Sequence, residues 1–314
     1  MAESGVFGNN TQLIWRLPSQ SPPSGLVVLA HGCRQSPTVW FSRSAGCERC
    51  APRPEERCLT VRGLLSNYAL VAAANIAGSK GCWGAEDVPA VRSAIDEWRQ
   101  TRGLERTPLF ALGPSSGGWF AGQLGRQWAD IRAIAMQVMV PLLGDVTSPL
   151  PLGTSRPYPP LQMVLMQRDA SKLKEAAALL EARWPGRQNA ELHTASPRAL
   201  SPSFFSDGIV GLAPALSAAV HAALVRAGHV DAHTGMVKRH PRRNDWRGVV
   251  VEALGSSKGG SKDKERSALL PQGSLQLAMD AIFARLDMAY AYHASTCQFA
   301  NETFRHFDRR KYIG

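Results

Sequence analysis

The sequence predicts an α/β chain: a mostly parallel sheet with helices on both faces and a small helical insertion. Three observations predict it. Apolar runs of strand length alternate with helix-length stretches through the first two hundred residues, as in a sheet covered on both sides. The runs are continuous, as at Leu26-Val27-Val28-Leu29-Ala30, which marks strands buried on both faces. Finally, Leu109-Phe110-Ala111-Leu112 stops in a glycine- and serine-rich turn that passes straight into a helix-like stretch.

In order along the chain, a strand is expected at 12–17 and the next at 26–30, ending in His31-Gly32. A helix fits 55–66 and a strand 68–76. In the helix expected at 86–102, Val88, Val91, Ile95 and Trp98 recur at three- and four-residue spacing, an amphipathic face that packs on a sheet. Strand 108–112 leads through Gly113-Pro114-Ser115-Ser116-Gly117-Gly118 into a helix at 116–128. Strands at 131–140, 161–166 and 190–194 follow, with a helix at 171–183 and a proline-, glycine- and serine-rich loop at 140–160. After 194 the pattern changes. A helix start at 201–207, an alanine-rich helix at 212–227 and a turn between two short apolar pieces at 227–237 look faintly like a winged-helix module. Residues 255–264 have the composition of a flexible linker.

The expected organisation is therefore a core at 1–197, an inserted helical lid or cap at 198–265, and a C-terminal helix at 266–314 completing the core. In that last segment Leu275, Met279, Ile282, Leu286, Ala289, His293, Cys297, Ala300, Phe304 and Phe307 follow one another at three- or four-residue steps, which places His293 on a buried helix face.

Of the 314 residues, 44% are hydrophobic and 19% charged, enough apolar material for one substantial core with an insertion. No run approaches the roughly 18 apolar residues of a membrane span. The first residues carry neither a basic nor an apolar signal region, so a cytoplasmic or other intracellular location is expected. Lysine plus arginine outnumber acidic residues 36 to 25, a formal charge of +11. The densest basic patch, Lys238-Arg239-His240-Pro241-Arg242-Arg243, reads as a solvated loop rather than a nucleic-acid surface. The basic balance would suit an acidic acyl substrate. Cys47-Glu-Arg-Cys50 is read first as free thiols, with disulfides and a zinc site as alternatives. No metal or cofactor is expected, and the oligomeric state stays open.

The candidate chemistry starts at Ser115. In G-x-S-x-G between a strand and a helix, a nucleophile sits on a sharp turn that needs small residues two before and two after it. The following helix offers free N–H groups where an oxyanion forms, so Ser116 N–H is one expected donor. Gly32 and Cys33, after the 26–30 strand, are the other oxyanion or substrate-binding candidates, the second donor being the backbone of Cys33 or Arg34. His31 itself is read as a loop histidine bonded to backbone. Asp169, just after strand 161–166, is the expected acid, competing with a reading as helix N-cap. The base is His293, with His193 as the alternative. His221, His229, His233, His240 and His306 are read as solvent-facing.

Together these features resemble the α/β-hydrolase superfamily over about 11–195 and 270–308. Longer stretches resemble a little-characterised group of plant, algal and bacterial α/β-hydrolase proteins. They are His31-Gly32-Cys33-Arg34-Gln35-Ser36 with Trp40, Cys47-x-x-Cys50 with Pro54-Glu55-Glu56, Cys82-Trp83 with Asp87-Val88-Pro89-Ala90-Val91, Gly113-x-Ser115-Ser116-Gly117-Gly118, and Tyr290-Ala291-Tyr292-His293. The resemblance implies the fold and a Ser115, Asp169, His293 site, and it implies no substrate. The departures are the insertion before the histidine and a histidine carried on a helix. Two functions follow: a serine hydrolase acting on an ester, thioester or amide of a small molecule, or an inactive hydrolase-fold binding protein. They part on whether an imidazole nitrogen lies within about 3 Å of Ser115 Oγ.

Overall fold

The computed structural model describes residues 1–8, 10–76, 81–147, 157–186, 188–255 and 270–311. Its centre is one eight-stranded sheet. The strands are β1 (Glu3–Phe7), β2 (Thr11–Arg16), β3 (Gly25–Leu29), β4 (Tyr68–Ala73), β5 (Leu109–Pro114), β6 (Ile131–Gln137), β7 (Leu161–Met166) and β8 (Ala190–Ala195). Their order is β1-β2-β4-β3-β5-β6-β7-β8. The β1–β2 and β2–β4 pairs are antiparallel and all others parallel.

Side chains of the central strands alternate between two cores, as the two-residue period of a strand requires. Leu13, Trp15, Leu26, Val28, Leu109 and Ala111 face one way. That side is covered by α2 (Asp87–Gln100), α3 (Ser116–Gln127) and α5 (Ala170–Arg183). Ile14, Val27, Leu29, Phe110 and Leu112 face the other way. There they meet α1 (Pro54–Leu65) and the last helix, α10 (Ala300–Asp308). Both faces are thus buried, which is why β3 and β4 read as apolar runs and β5 as one up to Gly113. A mostly parallel sheet with its second strand antiparallel, helices on both faces and a strand–turn–helix at β5 is the α/β-hydrolase architecture.

The chain runs from β3 to β4 on one side, then crosses back to β5 on the other. The carboxyl ends of β3 and β5 therefore flank a topological switch point, where open α/β sheets form their ligand crevice. His31-Gly32 and Ser115 stand at those two ends.

A third apolar cluster lies at the carboxyl ends of β6, β7 and β8, where Val138, Met166 and Ala195 meet a layer of helices. The layer comprises α6 (Phe204–Gly208), α7 (Pro214–Arg226), α8 (Trp246–Ala253) and α9 (Leu275–Tyr290). A short α4 (Leu143–Thr147) lies in the segment expected as loop. At 227–237 the two apolar pieces meet in one isolated antiparallel bridge, Val230 with Val237. The expected linker at 255–264 falls, but for Gly255, outside the described residues.

The structure corrects three expectations. The single helical stripe over 275–307 is two helices, α9 and α10. α9 stops because Ala291 is left-handed (φ 59°, ψ 56°), and the carbonyl of Ala291 accepts from Arg168 N at 2.9 Å. The two halves of the stripe face different cores, α9 the helical layer and α10 the sheet. Second, all six cysteines pair as disulfides, Cys33–Cys82, Cys47–Cys50 and Cys58–Cys297, so the first reading of free thiols is wrong. Third, His229 and His306 are buried rather than solvent-facing. His306 packs inward from α10, where its Nδ1 donates to Glu191 at 3.2 Å. Among the described residues, no helix is long and apolar enough to cross a membrane.

Candidate active site

Ser115 stands between β5 and α3 with φ 53° and ψ −121°, a backbone region that side-chain-bearing residues rarely occupy. The turn around it is too tight for any Cβ at its two glycines. A Cβ on Gly113 would come within 2.4 Å of Gly117, and one on Gly117 would come within 2.2 Å of the Ala30 carbonyl oxygen. The G-x-S-x-G pattern is therefore a packing requirement: α3 begins pressed against β5 and the end of β3. Ser115 N donates to Gln137 O on β6 at 2.8 Å, and Trp83 N donates to Ser116 Oγ at 2.9 Å, which pins the turn from both sides.

Ser115 Oγ lies 3.1 Å from His293 Nε2. His293 Nδ1 lies 3.3 Å from Asp169 Oδ2. The structure thus brings together three side chains that are 54 or more positions apart in sequence. Asp169 is buried and divides its two oxygens. Oδ1 accepts from Ser171 Oγ at 2.9 Å and from Lys172 N at 3.3 Å, capping α5, while Oδ2 faces the imidazole. The N-cap and the partner of the histidine are one residue, so the two readings of Asp169 do not compete. His193 lies on β8 against the ring of Phe299, at 5.0 Å between centroids. Among the described residues it has no hydrogen bond to Ser115 or Asp169.

His293 sits in the loop between α9 and α10, not on a helix. That loop is held by three separate parts of the chain: Arg242, α1 and β6. Arg242 Nη2 donates to the His293 carbonyl oxygen at 2.5 Å. Ser295 Oγ donates to Glu56 Oε1 at 2.5 Å, and Cys297 N to Glu55 Oε2 at 2.8 Å. Gln137 exchanges two 2.8 Å bonds with the Thr296 backbone. The Cys58–Cys297 disulfide closes the set. Sequence reasoning missed Glu55, Glu56, Gln137 and Arg242 as supports of the site. The available signal was the adjacent pair of carboxylates after Pro54, which are buried although glutamates at a helix start are ordinarily solvated.

On the other side of Ser115, His31 is fully buried, its Nδ1 donating to Gly32 O at 2.9 Å. Burial holds this ring below the ordinary imidazole range. Trp83 Nε1 donates to His31 O at 2.7 Å, and the Cys33–Cys82 disulfide ties the same two segments. The backbone donors here are unequal. Gly32 N is taken by Gln35 Oε1 at 3.3 Å and Arg34 N by Gly81 O at 2.8 Å. Cys33 N and Ser116 N have no hydrogen-bond partner among the described residues.

A cleft of about 750 Å³ runs away from Cys33, between the 33–57 segment and the helical layer at 208–211 and 271–283. Among the described residues, no three histidine, cysteine or acidic side chains gather as a metal site would require.

No protein-family model matches the chain, and no curated protein sequence does. Solved structures with a loose likeness include a cold-adapted esterase from an Arctic intertidal metagenomic library, with a TM-score of 0.43 and 14% identity over 62% of this chain and 83% of that one. Another is the thermophilic esterase Est2 from the Planctomycetes species Thermogutta terrifontis, with a TM-score of 0.42 and 18% identity over 64% and 84%. A third is an acetyl xylan esterase from Aspergillus awamori, with a TM-score of 0.44 and 11% identity over 62% and 92%. At these values, what the site does is read from its own geometry.

Proposed function

We propose that the chain is a serine hydrolase that cleaves an ester, thioester or amide of a small molecule through an acyl-enzyme, with esters the first choice. The observation that carries this reading is the 3.1 Å separation of Ser115 Oγ and His293 Nε2, with Asp169 3.3 Å behind the imidazole. In this reading the His293 proton is on Nδ1 and is donated to Asp169 Oδ2, leaving Nε2 to accept. Ser115 Oγ attacks the carbonyl carbon while its proton passes to Nε2. The carbonyl oxygen becomes an oxyanion and takes the N–H groups of Ser116 and Cys33. Nε2–H then protonates the leaving group. Water, giving its proton to Nε2, attacks the acyl carbon, and Ser115 leaves with that proton.

The left-handed backbone at Ser115 supports the same reading, because strain of this kind persists where surrounding structure holds a reactive group in place. An inactive binding protein on this scaffold would not need an imidazole within reach of the serine, and the distances count against it. The helical layer of α6 to α9 is the lid or cap expected from 198–265, extended to include α9, since all four share one core. Three disulfides are rare in a reducing cytosol, so this reading favours an oxidising compartment over the cytoplasm.

The experiment is labelling with a fluorophosphonate probe of wild type, Ser115→Ala and His293→Ala. Labelling of wild type alone is the expected result. Labelling that survives in His293→Ala moves the base elsewhere, and folded wild type that never labels removes the hydrolase.

A further inference from the structure

The cleft meets the site at Cys33; Ser115 and His293 are not part of its lining, which is of a different character. Four arginines, Arg34, Arg43, Arg53 and Arg57, line it, against one acidic residue, Asp280. Arg57 Nε donates to Ser42 Oγ at 3.1 Å, and Asp280 accepts from Gln276 Nε2 at 2.9 Å. Among the described residues none of the four arginines forms an ion pair. Elsewhere in the chain, arginines beside the site do pair: Arg285 with Glu55 and Arg242 with Asp287. Four like charges against one of opposite sign leave a positive excess, and a cleft with such an excess concentrates anionic ligands. The planar guanidinium matches the two oxygens of a carboxylate or phosphate. Between the arginines the wall is apolar, with Val39, Ile209 and Phe283.

The position of Arg34 is a second observation. It follows Cys33 directly and is left-handed, with φ 60°, although it is not a glycine. Its N–H is bonded to Gly81 O, next to the Cys33–Cys82 disulfide. Backbone strain of this kind, locked by neighbouring bonds, recurs at ligand clamps.

We propose that this cleft is the subsite for the anionic end of the substrate, an ester that carries a carboxylate or phosphate on an apolar body. The inference rests on the serine-hydrolase reading, since Cys33 is then where the oxyanion donor and the subsite meet. The arginines hold the charged end by bidentate hydrogen bonds, the apolar wall takes the body, and the ester carbonyl lies at Ser115.

The test compares kcat/KM for phenyl acetate with that for acetyl esters of 4-hydroxybenzoate and 4-hydroxyphenylphosphonate, and compares phenyl butyrate with phenyl hemisuccinate. Wild type and Arg53→Gln/Arg57→Gln are measured alongside fluorophosphonate labelling. The expected result is a preference of at least tenfold for one anionic ester over its neutral counterpart. That ratio should shrink at least tenfold in the variant and fall with added salt. Which ester wins tells carboxylate from phosphate and the acyl from the alcohol side. Wild type that labels but turns over neutral and anionic esters equally overturns the subsite and leaves the hydrolase. A preference unaffected in the variant also overturns it. Folded wild type that does not label removes both.

Discussion

Cys297 is disulfide-bonded to Cys58, so α1 is covalently joined to the loop that carries His293, four residues before the bond. His293 thus lies in a loop whose ends diverge toward two different cores, yet that loop is tied by a covalent bond to a third element. The Cys47–Cys50 disulfide closes a three-residue separation, whereas Cys58–Cys297 spans 239 positions. In the chain-entropy view a cross-link stabilises more as its loop lengthens. Cys58→Ser/Cys297→Ser is therefore expected to lose about 2–4 kcal/mol of stability, and to label with a fluorophosphonate at least tenfold more slowly. Cys47→Ser/Cys50→Ser serves as the comparison and should lose less of both. Urea denaturation and labelling rates measure the two effects.

The two oxygens of Asp169 allow its roles to be separated. Asparagine caps a helix about as well as aspartate, so Asp169→Asn should keep the α5 cap and stay within about 0.5 kcal/mol of wild type. It removes the carboxylate behind His293 Nδ1, and with it the tautomer that leaves Nε2 free to accept. The labelling rate should fall by about 10³ to 10⁴. Asp169→Ala should lose the cap as well, costing about 1 kcal/mol more. Equal stability of the two variants would show that the cap contributes nothing.

Strain at Ser115 gives an opposed pair of effects. Glycine accepts φ 53° with ψ −121° freely, and serine does not. Ser115→Gly is expected to be more stable than wild type by about 1 kcal/mol and to be unlabelled, the pattern of a site that sacrifices stability for function. Ser115→Ala, equally unlabelled, keeps the strain and should gain less. A destabilised Ser115→Gly would mean that the serine hydroxyl outweighs the backbone cost.

The parts of this fold readable in the sequence are those whose signal is local. β3, β5 and β7 are largely apolar runs followed closely by Gly, Pro or Asp, the composition favoured in a sheet buried on both faces. β1 gives no such signal. Its residues Glu3, Ser4, Gly5, Val6 and Phe7 are mostly exposed along an edge, so nothing apolar repeats. The placement of Ser115 and Asp169 is legible because each sits between a strand and the helix that follows it. His293 does lie beside Ser115, but in a loop rather than on the helix that the stripe predicts. The three- and four-residue stripe continues across 291–299 although Ala291 turns the chain out of the helix. Disulfide pairing was not legible at all, since six cysteines admit 15 pairings and Cys58 meets a partner on another element. Burial of His229 and His306 likewise depends on which face of an element meets which core.

Acid should expose the contact between β8 and α10. Glu191 accepts from His306 Nδ1 and from Arg309, and its carboxyl is lowered from 4.5 to about 2. The His306 hydrogen bond is the largest cause, opposed by burial and helped by Arg309. A carboxylate lowered on folding binds fewer protons in the native state than in the unfolded one between those two values. Its contribution is therefore complete above pH 4.5 and lost as pH falls toward about 2. The group is partly exposed, so solvent screening keeps the effect small. Urea denaturation from pH 6 down to about 2.5 should show a shallower loss of stability in Glu191→Gln than in wild type. Parallel pH profiles would mean that Glu191 is unpaired in solution.

Arg242 belongs to the basic patch that the sequence marks as a solvated loop, yet it makes two tertiary contacts. Its Nε and Nη2 donate to Asp287 Oδ2 on α9 at 3.0 and 2.6 Å, and Nη2 also reaches the His293 carbonyl. Asp287 is almost wholly buried, so Arg242→Ala leaves a carboxylate in the helical layer without its guanidinium. Loss of a charged hydrogen-bonded partner costs about 1.5–3 kcal/mol, much of it the penalty on the group left behind. Arg242→Ala/Asp287→Asn should therefore recover part of the stability lost in Arg242→Ala. It should not recover the labelling rate, because the tether to the His293 carbonyl is still missing. Arg242→Lys keeps the charge but offers a single ammonium in place of a planar fork, and is expected to hold Asp287 while leaving the His293 loop loose. Full labelling in all three variants would show that the remaining bonds of that loop, through Glu55, Glu56, Gln137 and Cys58, are enough to position His293.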